Sequence, residues 1–325
     1  MMKAIIPAAG IGKRLQPLTL TRPKILIPVA GKPIIGHILD KLIQSGIDEI
    51  TLIIGYMGEQ VVDYVENNYS VRVNFAEQKE RKGLGHAVEM GLDERDEPVL
   101  IVLGDTILDL NFKHFIQSKL NIIGVMEVDD PRRFGIVEME NDRVLRLVEK
   151  PEHSHSNLAI AGIYLLQNEY LLKKAIRHII ENNITTKGEY QLTDALQILL
   201  RWKEEIKVEM VRACYDCGTR EALLETNRHL LSQQIHQPCS FPNTSIIPPV
   251  YIHPEAAIKD SVIGPYVSIA SGVIIERAIL EDTIVDEKSS VQKAVLKDSL
   301  IGGGTTVIGK EYRIDAGDHS RRNLG

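Results

Sequence analysis

The sequence predicts an α/β domain built on a mixed, mainly parallel sheet, followed by a short parallel β-helix. Three observations carry this expectation. Short apolar runs alternate with amphipathic helical stretches through the N-terminal third, the pattern of a parallel sheet covered on both faces. Pro238, Pro242, Pro248 and Pro249 then crowd a stretch that suits neither helix nor central strand. Beyond it, aliphatic residues recur at every sixth position, a period that is neither helical nor simply alternating and that fits stacked solenoid rungs.

Taken in order, the run from Lys3 to Ala8 reads as the first strand. Ile34, Ile35, Ile38, Leu39, Leu42 and Ile43 fall at helical spacing between Pro33 and Ser45, and Gly46 ends that helix. Apolar runs at 49–54, 71–75 and 99–103 alternate with helical stretches around 59–66 and 83–92. From Ile122 the pattern becomes mixed, with 135–139 and 143–148 reading as paired strands across Asn141-Asp142. Helices return at 169–181, 193–203 and 220–234. The expected division is a first domain over 1–234, a Pro-rich linker over 235–249, a β-helix over 250–309, and a polar tail or cap over 310–325. In the β-helix the triplets Ile263, Ile269, Ile275, then Ile279, Val285, Val291, then Val295, Ile301, Val307 are expected to form the interior ladders of three or four coils.

Composition narrows the function. A chain of 325 residues with 44% hydrophobic and 25% charged residues buries a sizeable core, and a net charge of -6 argues against a nonspecific nucleic-acid binder. No run reaches transmembrane length and the start does not read as a signal peptide, so a cytoplasmic location away from membranes is expected. Three cysteines are too few for a disulfide framework. Cys214, Cys217, His236 and Cys239 offer four zinc ligands if they converge; three reduced thiols are the plainer reading.

Ligands of such sheets bind at the carboxyl ends of the strands, which directs attention to the residues after Ala8 and Leu103. The first is a Gly-rich basic loop, Ala8-Ala9-Gly10-Ile11-Gly12-Lys13-Arg14-Leu15, followed by Pro23-Lys24. Its glycines let backbone N–H groups approach phosphate oxygens while Lys13, Arg14 and Lys24 add positive charge. The spacing is neither Walker A nor the dinucleotide fingerprint, and a loop of this kind is as often an ordinary turn. Asp105 follows a buried run, and Asp216 lies in Tyr215-Asp216-Cys217-Gly218-Thr219. Either carboxylate alone serves as a cap or turn former. Together they suit Mg²⁺, which takes few protein carboxylates and completes its shell with water and phosphate oxygens.

These residues, with Gly83-Leu84-Gly85-His86-Ala87, Leu103-Gly104-Asp105, Arg133-Phe134-Gly135, Glu149-Lys150-Pro151, Gly188-Glu189, Thr193-Asp194 and Asp216-Cys217-Gly218-Thr219, make residues 3 to about 232 resemble the sugar-1-phosphate nucleotidyltransferases. The likeness is greatest to their long-form glucose-1-phosphate thymidylyltransferase branch. The resemblance implies a Rossmann-like, three-layer catalytic domain and a left-handed, hexapeptide-repeat β-helix. It implies that Arg14, Lys24 and Lys150 are catalytic, with Arg14 and Lys24 on the triphosphate and Lys150 on the sugar phosphate. The nucleotide would meet Ala8, Ala9, Gly10, Gly12, Lys13 and Asp105, and its pyrimidine Gln78, Gly83 and Leu84. The sugar phosphate would meet Gly135, Glu149, Lys150, Ile160 and Lys187, and Mg²⁺ would sit on Asp105 and Asp216.

The chain departs from the pattern of that family at Lys13, Lys187, Tyr215 and Cys217, where Thr, Arg, Trp, and Thr or Val are usual. Lys187 in place of Arg loses a bidentate fork. His86 and Pro7 resemble the UTP-using relatives, so dTTP and UTP both stay open as substrates alongside a sugar 1-phosphate, glucose 1-phosphate by default. A noncatalytic sugar-nucleotide-binding subunit on the same fold is the competing reading, although such proteins usually lose the metal carboxylates or basic loop. For the β-helix, with His253 the one histidine among its repeats, assembly into a homo-oligomer or regulation is favoured over acyl transfer.

Overall fold

The computed structural model describes residues 2–140, 143–234 and 240–310. Two compact units emerge, one of Met1–Ile27 with Lys32–Leu223 and the other of Pro28–Gly31 with the chain from Leu224.

The first unit is organised by a nine-stranded mixed sheet. Lys3–Pro7 lies at its centre, parallel to both Glu49–Ile54 and Val99–Val102, and Arg72–Glu77 extends the parallel half at one edge. The apolar runs of these inner strands are continuous rather than alternating because both faces are covered: Ala4, Ile5, Ile6, Leu100 and Ile101 are fully buried. The other half turns antiparallel through the long strand Leu158–Leu166, which pairs with Val99–Val102, Asn121–Glu127 and Gly135–Glu140. Gly135–Glu140 and Arg143–Glu149 form the expected antiparallel pair; the turn residues Asn141 and Asp142 lie outside the described residues.

Helices cover this sheet. Helix α1 (Ile34–Gln44) buries Ile34, Ile35, Ile38, Leu39 and Leu42 of the stripe its spacing predicts, while Ile43 at the stripe's end is 37% exposed, and Gly46 follows it with φ 92°. Helices α2 (Gly58–Asn68) and α3 (Leu84–Gly91) occupy the expected positions, and a short helix, α4 (Phe112–Ile116), follows. Leu172, Ala175 and Ile176 of α5 (Glu169–Glu181) join Leu192, Ala195 and Leu196 of α6 (Leu192–Arg201) in one core cluster with Ile5, Val99 and Ile101 of the sheet. Among the described residues no helix is long and apolar enough to cross a membrane.

In the second unit, parallel rungs stack as a β-helix, and its parallel strand sheets fit the left-handed winding expected. The rungs begin before residue 250: Ser245–Ile246 already pairs with Val262–Ile263, because the prolines on either side remove a donor only at their own positions. The interior ladders are Ile246, Ile263, Leu280, Leu296; then Ile252, Ile269, Val285, Ile301; then Ile258, Ile275, Val291, Val307. The expected interior positions Ile279 and Val295 are therefore corrected. They are 47% and 74% exposed, whereas Leu280 beside Ile279 is fully buried. Each of these strands opens with two adjacent aliphatics, and the corner before it shortens the six-residue step to five, so a strict sixth-position count selects the wrong member. Arg277, with φ 53°, forms one such corner.

Helix α7 (Arg220–Gln233) delivers Asn227 into this unit. Both polar atoms of its buried amide are engaged: Oδ1 accepts from the Ala30 N–H at 2.9 Å and from Ser268 Oγ at 2.6 Å, and Nδ2 donates to the Tyr266 carbonyl at 3.1 Å. Such satisfaction is what makes a buried amide tolerable. His253 Nδ1 accepts from the Glu255 N–H at 3.2 Å, a turn contact.

Candidate active site

The cleft at the carboxyl ends of the central strands has a volume of about 560 Å³, within the size range of small-molecule sites. Its walls come from the Gly-rich loop, the turn after Val99–Val102, the segment 132–134, Lys150, the kinked middle of Leu158–Leu166 and the strand Ala213–Asp216.

Asp105 and Asp216, far apart in sequence, meet through a two-stranded ladder. Thr106–Asp109 pairs antiparallel with Ala213–Asp216 so that Thr106 faces Asp216, and the Cys217 N–H donates to the Asp105 carbonyl at 3.0 Å. The Lys24 ammonium is 6% exposed at the residue level and donates to Asp105 Oδ2 at 2.5 Å, with Asp216 Oδ1 at 3.8 Å. Arg14 lies beside the same pair: a Cβ on Gly218 would stand 2.6 Å from Arg14 Nη2 and 2.8 Å from Asp216 Oδ1. Gly218 is therefore the residue that lets guanidinium and carboxylate close over the backbone. The loop turns at Gly12, whose φ of 71° is left-handed and whose missing side chain leaves room for Lys24 and Thr19. Nothing lies within 4 Å of where a Cβ of Gly10 would stand, and Lys13 is exposed beside it.

Lys150 also lines the cleft. Its backbone sits at φ 43°, unusual for a residue with a side chain, and its N–H donates to the Phe134 carbonyl at 2.9 Å. Glu149, paired in register with Gly135, accepts from Thr193 Oγ1 at 2.7 Å and lies 3.2 Å from the Lys150 ammonium. Burial raises the pKa of nearby Asp194, opposed by its hydrogen bond from Thr186 and helped by the charge of Glu149.

Arg14, Lys24, Asp105, Lys150, Ile160 and Asp216 are thus gathered at or against one cleft, with Gly135 and Glu149 behind Lys150. Lys187 is not among the cleft's lining residues: it is exposed on the tight turn Thr186–Glu189 with φ 54°. Gln78, Gly83 and Leu84 form a separate group joined to the loop through Arg81 Nε, which donates to the Ala9 carbonyl at 3.4 Å. The Gln78 amide already donates to the Gly83 carbonyl at 3.2 Å and meets His86 Nδ1 at 3.0 Å, so its N–H₂ must leave these partners before it can meet a base. Ala8 continues the first strand, its N–H donating to the Ile53 carbonyl at 2.8 Å.

For a metal, the two half-exposed carboxylates facing one ammonium suit a Mg²⁺ ion that binds with substrate phosphates. No group of three or more His, Cys, Asp or Glu side chains converges among the described residues. Of the candidate zinc ligands, Cys214 and Cys217 are not joined in a disulfide, whereas His236 and Cys239 lie outside the described residues.

The sequence alone assigns no role at this cleft to Cys214, Arg132, Arg133 or Phe134, all of which line it beside Ala161 and Gly162, whose backbone is expected to approach the sugar ring. For Cys214 a signal existed, since it stands two residues before Asp216 on a strand and shares its face. Burial, followed by the charges of Asp216 and Asp105, pushes its thiol up to about 12. A raised pKa keeps the thiol protonated at neutral pH, leaving a thiolate fraction of roughly one in ten thousand at pH 8. Iodoacetamide is therefore expected to label Cys214 more than about a hundredfold more slowly than a free cysteine at pH 8, with the rate rising as pH increases. Peptide mapping by mass spectrometry reads this directly, and rapid labelling at pH 8 contradicts it.

An open α/β sheet with a basic Gly-rich loop, paired carboxylates and a facing lysine at its strand ends defines a class of phosphate-handling transferase sites. Residues 3–233 match the nucleotidyl transferase family model, and the chain belongs to that family. It is 38% identical over 233 residues to the bifunctional protein GlmU of Methanocaldococcus jannaschii, covering 71% of this chain and 55% of that protein. It thus spans about half the length of that relative. It is 27% identical to a glucose-1-phosphate thymidylyltransferase of Streptomyces griseus over 99% of both chains. Among solved structures, a UDP-glucose pyrophosphorylase complexed with UDP-glucose aligns with a TM-score of 0.61 and 25% identity, over 72% of this chain and all of that one.

Proposed function

We propose that this protein transfers a nucleotidyl group from a pyrimidine nucleoside triphosphate to a sugar 1-phosphate, releasing pyrophosphate. Glucose 1-phosphate and dTTP are the first substrates to test. The observation that carries the reading is the convergence of Arg14, Asp105, Asp216 and Lys150 on a single cleft, with Lys24 paired to its two carboxylates. The end-to-end likeness to a thymidylyltransferase supports dTTP; likeness to a UDP-glucose pyrophosphorylase supports UTP as the second reading.

In this mechanism the sugar phosphate oxygen attacks the α-phosphorus in line with departing pyrophosphate. Little covalent work falls to the protein, so alignment and charge supply nearly all the rate. Arg14 and Lys24 orient the triphosphate and neutralise charge on the leaving pyrophosphate. Lys150 holds the attacking phosphate, and Glu149, fixed by Thr193, accepts from sugar hydroxyls. Asp105 and Asp216 would hold Mg²⁺, which when bound supplies positive charge at the α-phosphate.

Pyrophosphate release across a grid of nucleoside triphosphates and sugar 1-phosphates tests the proposal. Release confined to dTTP or UTP with one sugar supports it, and silence across the grid from folded protein favours a sugar-nucleotide-binding subunit. The β-helix is proposed to serve self-association. Ile279 and Val295, in register on its outer face, support a second copy as the occupant, and Val295→Glu is expected to lower the mass seen in sedimentation velocity; an unchanged mass would count against it.

A further inference from the structure

We infer that Arg133 is the second cation on the sugar phosphate, in the place expected of Lys187. The inference rests on the proposed reaction and names a substrate-binding residue within it.

A phosphate monoester is close to doubly charged at neutral pH, and a lone lysine is a poor match for it. Lys150 is moreover shared, with Glu149 Oε1 at 3.2 Å. Lys187 does not line the cleft and projects from an exposed turn. Two arginines, however, enter the cleft from the segment before Gly135. They differ in what holds them. Arg132 is committed to Asp130, with Nε donating to Oδ1 at 2.7 Å and Nη2 to Oδ2 at 3.0 Å, and its N–H bonds the same carboxylate at 3.2 Å. That carboxylate fixes the turn Pro131–Arg133. Arg133 has no side-chain hydrogen bond or ion pair among the described residues, and Asp130 senses its charge only as the smallest of the influences on it.

Position selects which phosphate Arg133 serves. Phe134, its chain neighbour, accepts the Lys150 N–H at 2.9 Å, and Gly135 pairs with Glu149 in the sheet. Arg133 and Lys150 therefore enter from adjoining backbone, on elements other than those that bring Lys24 and Arg14 to the paired carboxylates. A guanidinium offers the planar two-pronged donor that the Lys187 position lacks. The fork absent from one element of the sequence is thus present on another.

Steady-state kinetics with glucose 1-phosphate and the nucleotide found active in wild type tests this. Arg133→Ala is expected to raise KM for glucose 1-phosphate about tenfold or more, with KM for the nucleotide within about twofold. Arg133→Lys should recover part of the loss, restoring the charge without the fork. Lys187→Ala should change either KM by less than about twofold. An unaltered sugar-phosphate KM in Arg133→Ala, a rise confined to the nucleotide, or a loss carried by Lys187→Ala overturns the inference. If Arg133→Ala does not fold, Arg133→Gln is read by the same criteria. Wild-type protein silent on every substrate pair overturns the proposed function and this inference with it, whereas active wild type with an indifferent Arg133→Ala overturns this inference alone.

Discussion

Replacing Asp105 by Asn is expected to lower kcat on the order of a thousandfold or more while leaving the protein folded. The carboxylate is the most heavily engaged acidic group of the cleft, bonded to Lys24 Nζ at 2.5 Å and set beside Asp216 by the Thr106–Asp109 ladder. The amide keeps the shape but removes the charge that would hold a divalent ion and position the Lys24 ammonium. Stability should change little, because the Asp105 side chain is 38% exposed and its backbone carbonyl still accepts from Cys217. Lys24 also retains Asp216 within 3.8 Å. Pyrophosphate release together with a thermal melt separates the two effects. Turnover near the wild-type level would remove Asp105 from the reaction centre, and a collapsed melt would show its role to be structural.

The largest stability loss is expected at Glu169. This side chain is 1% exposed and accepts from the Lys3 ammonium at 2.6 Å and from the Asp93 N–H. Lys3, 4% exposed, also donates to the Gly91 carbonyl at 2.8 Å and to Asp93 at 3.0 Å. One ammonium thus joins the start of the central strand, the end of α3 and the first turn of α5. Glu169→Ala leaves this ammonium only the half-exposed Asp93 as counter-charge and the Asp93 N–H without its acceptor, and breaking a buried pair costs about 3 to 5 kcal/mol. A buried pair is worth far less against an apolar replacement of both partners, so Lys3→Met with Glu169→Leu should cost markedly less than Glu169→Ala alone. Urea denaturation of the variants checks this, and equal losses for the single and double variants would refute the pairing argument.

The elements of both units were largely legible because their signals are local. The α1 stripe, the buried inner strands and the six-residue rhythm each follow from side-chain periods that a folded chain must satisfy. The β-helix was misread where two aliphatics adjoin: Ile279 and Leu280 are equivalent in composition, and only the corner at Arg277 determines which points inward. At the cleft, the loop residues and the two aspartates could be proposed from residue type and position after a strand. Their convergence could not, because it depends on a pairing between segments separated by about half of the first unit. Lys187 and Arg133 illustrate the same limit. Both are exposed and both belong to motifs, and it is the backbone, left-handed at Lys187 and tied by Asp130 before Arg133, that leaves the first off the cleft and brings the second to its lining.

The three interior ladders have a mechanical consequence. Each coil touches only the coil before it and the coil after it, as Leu280 touches Ile263 and Leu296. Cohesion therefore accumulates as a chain of neighbour terms, not as one indivisible core. A fault introduced at Val291 weakens the two junctions on either side of it and leaves the earlier junction, where Ile246 meets Ile263, intact. Sequence drift in this part of the molecule can accordingly be absorbed one layer at a time, whereas a comparable change at Ile5 or Ile101 is felt across the whole nine-stranded sheet.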